Sequence, residues 1–375
     1  MAEVHGTCED RFEGVRDLLS ANLDSGADVG ASVAVFLEGE PVVDLWGGWV
    51  DTDHSAPWER DTITNVWSTT KTMTALCALI LADRGELDFS APVAQYWPEF
   101  AAAGKESIEV RHLMSHTSGL SGWQEPVTIE DLCDWDKATG LLAEQAPWWE
   151  PGTASGYHAV TQGFLVGEVV RRISGKSLGT FFKDEVAGPL GADFHIGLPA
   201  EDDHRVSKVI APDMSGMAMD QMPPMLARTF SNPPLSAEAS YAESWRRAEI
   251  PAANGHSNAR GVAAAQSVLA NGGEAHGVRL LSAKGCEAVF EEQSHGIDLV
   301  LGVDLRFGIG YGLSTETTPI GEHSCYWGGW GGSFIVSDFD AHLTFAYVMN
   351  RMETGLVGDT RGGGLLEATR QGLAG

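Results

Sequence analysis

The chain has 375 residues, with 24 basic side chains against 52 acidic ones and a formal charge of −28 at pH 7. That surface repels nucleic acid and anionic lipid, whose binding depends on Lys and Arg neutralising phosphates. With 43% apolar residues the chain can bury a large core, and no apolar run approaches the ~18 residues of a membrane span.

Single hydrophobic cores stop growing at roughly 250–300 residues, so two packed units are expected. The N-terminal run Met1-Ala2-Glu3-Val4-His5-Gly6-Thr7 carries neither the basic nor the apolar region of a signal peptide. Cys8, Cys77, Cys133, Cys286 and Cys325 are odd in number, scattered, and never spaced Cys-x-x-Cys. Free thiols and a cytoplasmic setting are therefore the expectation.

Apolar Phe12, Val15, Leu18, Leu19 and Leu23 predict an amphipathic helix over residues 10–23. Residues 31–37 and 41–49 read as strands around the turn Glu38-Gly39-Glu40. The region 68–270 is mainly helical, with one clear helix from Gln162 to Ile173 closed by Ser174-Gly175. Strand character returns at 305–311, 334–337 and 343–349, and a last helix is expected near 365–373. Strands at both ends with helices between predict an α/β chain of the α+β kind. One sheet is built from 1–67 and 271–375, and a mainly helical unit, 68–270, is inserted between them.

The first chemical candidate is Ser68-Thr69-Thr70-Lys71, which opens a helix with apolar Leu76, Leu79 and Ile80 and a stop at Arg84-Gly85. Residues three apart share a helical face, so Lys71 lies one turn from Ser68, and the helix N-terminus favours negative charge where an alkoxide forms. Seven lysines and 27 serines give about 0.5 such tetrads by chance, and a capping serine before a surface lysine fits the same letters. Two further segments matter. Tyr157 follows the turn Pro151-Gly152 and precedes the Gln162 helix. Tyr326-Trp327-Gly328-Gly329-Trp330-Gly331-Gly332-Ser333 leads into a strand, where glycines leave room for a substrate and backbone N–H groups for an oxyanion. Structurally, the tyrosine also fits a core position and the glycines a β-bulge.

In order and spacing these segments resemble the penicillin-recognising serine hydrolases, specifically class C β-lactamases and family VIII carboxylesterases. That family's pattern is S-x-x-K, a tyrosine motif, then K-T-G or W-G-G. Ser68-Thr69-Thr70-Lys71, Tyr157-His158-Ala159 and Trp327-Gly328-Gly329 match in turn, and Val110 to Leu120 is similar to a further recurrent stretch. The resemblance implies a β-lactamase/transpeptidase-like fold, Ser68 as nucleophile and Lys71 with Tyr157 as the activating pair. It also implies an oxyanion hole from the backbone N–H groups of Ser68 and Trp330, substrate contacts at Trp327, Gly328 and Gly329, and no metal or organic cofactor. Free lysine and tyrosine are both protonated at pH 7, so burial of the lysine or a cation beside the tyrosine must shift at least one, and the two are expected to act as a coupled pair whose proton the sequence assigns to neither. Ala159 replaces the asparagine of Y-x-N and Trp327 the lysine of K-T-G, which removes an amide and a cation used on β-lactams. The expected activity is therefore hydrolysis of small, uncharged esters with short acyl chains. The alternatives are a β-lactamase or D-amino-acid peptidase on the same site, and a catalytically silent relative that binds peptides. The expected partner is a small-molecule ester, with neither nucleic acid nor membrane.

Other signals compete. Gly175-Lys176-Ser177-Leu178-Gly179 has the letters of an α/β-hydrolase elbow, but a helix precedes Ser177 where a strand is needed, so an N-cap is expected. His112 and His116 have zinc-helix spacing without the glutamate, and the family resemblance implies that His116 is structural and bonds backbone near the site. Gly308-Ile309-Gly310-Tyr311-Gly312 opens no helix and is not read as a phosphate loop. Five of ten methionines fall in Met214–Met225, where they fill gaps or line an acyl pocket.

Overall fold

In this computed structural model residues 3–215 and 222–375 are described. Nine strands form one antiparallel sheet: β1 (Val4–Cys8), β2 (Gly30–Leu37), β3 (Glu40–Gly48), β4 (Ser294–Ile297), β5 (Asp304–Phe307), β6 (Gly312–Leu313), β7 (Ser324–Gly328), β8 (Phe334–Asp338) and β9 (Leu343–Met349). Their order is β1-β3-β2-β9-β8-β7-β6-β5-β4. The two ends of the chain meet at the centre, where Ala31 to Leu37 pair with Met349 to Leu343. Both central strands are buried almost throughout, so both faces of the sheet are covered.

Helix α1 (Glu13–Ser25) buries Val15, Leu19 and Leu23, four residues apart, and stops at Gly26 in the left-handed conformation. It packs on β2, β3 and the last helix, Thr360–Ala374. The helix Ala259–Ala270 is alanine-rich and buried, and crosses β2, β8 and β9. Between them, α2 (Thr70–Asp83) buries every residue but its last two and packs on both Ala259–Ala270 and α3 (Thr161–Ser174). The sequence division placed 259–270 in the helical unit. Its contacts are with strands of the sheet as well as with α2.

The strand expected over 305–311 is interrupted after Phe307. Gly310 has φ +83°, and a side chain there would meet Ala75 of α2 at 2.6 Å. The loop bends because α2 passes beneath it. β1 and β4 were not foreseen, since both are largely exposed edge strands held by backbone pairing and lack apolar alternation.

Candidate active site

Ser68 is held by the chain on both sides of it. Thr64–Asn65 pair with His256–Ser257, and Val66 N–H donates to Gly255 O at 2.8 Å. Trp67 then takes φ +47°, a left-handed conformation that costs a bulky residue ~1–2 kcal/mol. The Trp67 ring is wedged between those of Trp245 and Trp330, at 5.7 and 5.1 Å. This turn delivers Ser68 to the start of α2. Gly329 lies against the same turn, where a Cβ would come within 2.3 Å of Val66 O and 3.3 Å of Ser68 N.

Tyr157 OH donates to Ser68 Oγ at 2.6 Å, and Lys71 Nζ lies 3.1 Å from the same oxygen. Lys71 Nζ also donates to Ala159 O at 2.7 Å and Ala252 O at 2.9 Å. Burial holds the Lys71 pKa well below the ordinary lysine value and pushes Tyr157 above the ordinary phenol value. Both groups thus favour their neutral forms. Lys71 Nζ has three oxygens in hydrogen-bond reach, the Ala159 and Ala252 carbonyls and Ser68 Oγ. A neighbouring cation would lower the Tyr157 pKa, but burial is the largest influence there and raises it.

The beta-lactamase family model matches residues 15–368. The chain belongs to the beta-lactamase family. It is 36% identical to "Esterase/beta-lactamase LipL" of Mycobacterium tuberculosis, over 99% of this chain and 89% of that one. "Esterase EstB" of Burkholderia gladioli is 32% identical over 46% of this chain and 50% of its own. Among solved structures, a family VIII carboxylesterase superposes with a TM-score of 0.94 at 45% identity, covering 99% of this chain and 100% of that one. A penicillin-binding protein homologue from Caulobacter crescentus superposes with 0.91 at 37%, with coverages of 99% and 100%. The expected fold is confirmed.

In this beta-lactamase family protein Ser68 and Tyr157 border a cavity of about 360 Å³. Trp67, Val160, Met214, Met222, Leu226, Phe230, Leu235 and Leu356 are among its apolar walls, and among the described residues no charged side chain lines it. Trp330 lines it too, and among the described residues its backbone N–H has no acceptor. Met217 and Met219, from the same methionine-rich run, lie outside the described residues.

Trp327, Gly328 and Gly329, expected to contact substrate, do not line the cavity. The Trp327 ring is 2% exposed and packs behind Tyr157, against His116 and Phe307. A Cβ on Gly328 would meet the backbone of 357–358, and one on Gly329 that of 66–68. These glycines admit neighbouring main chain, which holds the Ser68 turn against β7.

His116 Nδ1 accepts from His158 N–H at 3.1 Å, as the sequence implied. His158 bonds Gly156 O through Nδ1 and Ser118 Oγ through Nε2. Desolvation lowers the pKa of His158, and likewise of His256, from 6.5 to about 3. Between those pH values the unfolded chain binds more protons than the folded one, so these histidines make stability rise with pH. The urea midpoint should accordingly fall from pH 7 to pH 5, where most carboxylates are still ionised. A midpoint that is flat or higher at pH 5 would contradict the buried neutral state.

Ser177 caps the helix Leu178–Phe182 by accepting from Thr180 N, and it donates to Glu249 at 2.6 Å. It is an N-cap and stands apart from Ser68. His112 Nδ1 accepts from Glu109 N–H and shares no ligand geometry with His116. Sequence reasoning missed the Ala159 and Ala252 carbonyls on Lys71, because any residue supplies a carbonyl.

Proposed function

We propose that this protein is a serine carboxylesterase acting on uncharged esters of short acyl chains. The observation that carries it is Ser68 Oγ, bonded to Tyr157 and Lys71 at the wall of a cavity whose described lining residues carry no charge. The esterase names of relatives support the same reading. A neutral serine needs a base within hydrogen-bond reach. The Lys71 amine takes the Ser68 proton as Oγ attacks the ester carbonyl carbon. The backbone N–H groups of Ser68 and Trp330 hold the oxyanion. Collapse breaks the bond to the alcohol oxygen, which takes the Tyr157 proton and leaves an acyl-enzyme. The phenolate, beside the Lys71 ammonium, then takes a proton from water, and the hydroxide attacks the acyl carbon. As the acid departs, Ser68 Oγ recovers its proton from Lys71. The five free cysteines support a reducing compartment such as the cytoplasm.

The neutral cavity sets the selectivity. Relative to the class C pattern the site lacks a cation and an amide, worth roughly 1.5–3 and about 1 kcal/mol. β-Lactam turnover should be slower by two to three orders of magnitude, at ~1.4 kcal/mol per tenfold, while neutral esters lose nothing. On one preparation, with Ser68→Ala as blank, kcat/KM for p-nitrophenyl acetate or butyrate should far exceed that for nitrocefin. Nitrocefin hydrolysis as fast as ester hydrolysis would make this a β-lactamase.

A further inference from the structure

Tyr157 is delivered to Ser68 by irregular chain, because residues 154–158 belong to no helix or strand. Its position must therefore come from what its backbone bonds. Three successive N–H groups are held: Gly156 N by His116 O at 2.9 Å, Tyr157 N by Asp298 Oδ1 at 3.0 Å, and His158 N by His116 Nδ1 at 3.1 Å. His116 is only about forty residues away in the chain, whereas Asp298 reaches across 141.

Asp298 comes from the loop after β4, between Ile297 and Leu299, which are 65% and 40% exposed. Its own side chain turns inward and is 0% exposed. Oδ1 also accepts from Val300 N and Leu301 N, both at 2.9 Å, which folds the loop around the carboxylate. A second bond, Leu299 N–H to Ser155 O at 2.9 Å, ties the same loop to the same segment. Oδ2 accepts no hydrogen bond among the described residues. Burying a carboxylate with one oxygen unpartnered is costly. What the buried oxygen reaches outside its own loop is the tyrosine main chain.

We propose that Asp298 is the positioning residue for Tyr157, its carboxylate pinning the tyrosine N–H so that the phenol stands on Ser68 Oγ. The same clamp steadies Ala159, two residues on, whose carbonyl holds Lys71. The inference rests on the proposed role of Tyr157 and adds a group outside the cavity that acts through it.

A double-mutant cycle on p-nitrophenyl butyrate hydrolysis tests it. Asp298→Ala should lower kcat about 30-fold or more with KM within about threefold, since a misplacement near 1 Å costs on the order of 10². Asp298→Asn keeps an acceptor oxygen in place and should retain about a third of kcat or better. In a Tyr157→Phe background, where there is no phenol to place, Asp298→Ala should cost no more than about threefold further. An undiminished loss in that background would overturn the proposal, as would an Asn variant as impaired as the Ala variant. If Asp298→Ala does not fold, Asp298→Glu, which keeps the charge but displaces the acceptor, enters the same cycle under the same criteria. Wild-type kcat in Tyr157→Phe alone would instead remove the mechanism on which the clamp rests.

Discussion

Ser68→Ala should lower kcat on a short-chain p-nitrophenyl ester by at least ~10³-fold, because removing the nucleophile removes the covalent route. Ser68 Oγ is the atom on which both Lys71 and Tyr157 converge, and no other oxygen in the described cavity wall has that pair of neighbours. KM should change little, since the apolar wall from Trp67 to Leu356 is untouched. Ser177→Ala is the control. Its hydroxyl caps a helix and bonds Glu249, so its loss should cost about 1 kcal/mol of stability and leave kcat unchanged. A Ser68→Ala enzyme with a tenth of wild-type activity would sink the assignment, and a kcat loss at Ser177 would point to the α/β-hydrolase reading instead.

Lys71→Ala and Tyr157→Phe should each cost kcat nearly as much as the two together. Tyr157 OH and Lys71 Nζ both bond Ser68 Oγ, and Lys71 Nζ is only 4.8 Å from the Tyr157 ring centre. The proton taken by one must be balanced by the proton given by the other, so removing either stops the relay, and groups acting as a unit are non-additive. Rates for both singles and the double should be measured at one pH with the same ester. A double-mutant loss equal to the sum of the single losses, in log units, would show two independent groups and refute the relay. The Lys71 variant carries its own structural cost, because Ala159 O and Ala252 O lose their donor. Its melting temperature should therefore be reported beside kcat.

Much of this was legible in order and spacing. The tetrad, the tyrosine and the Trp-Gly-Gly run identified Ser68, Lys71 and Tyr157 as a set, and the alternation of strands and helices foretold a sheet made from both chain ends. Such features are local, because helical periodicity places Lys71 beside Ser68 with no knowledge of the rest of the molecule. Roles that depend on what approaches from elsewhere were decided only by the tertiary structure. Packing places the Trp327 ring behind Tyr157, and Gly328 and Gly329 make room for neighbouring backbone. The Tyr157 pKa moves up because burial, which no local pattern reports, desolvates the phenol. Asp298 carried no signal at all, standing 141 residues from the tyrosine it holds. Spacing along a chain specifies which side chains share a face of one element. Desolvation and contacts between distant segments exist only once the chain has closed on itself.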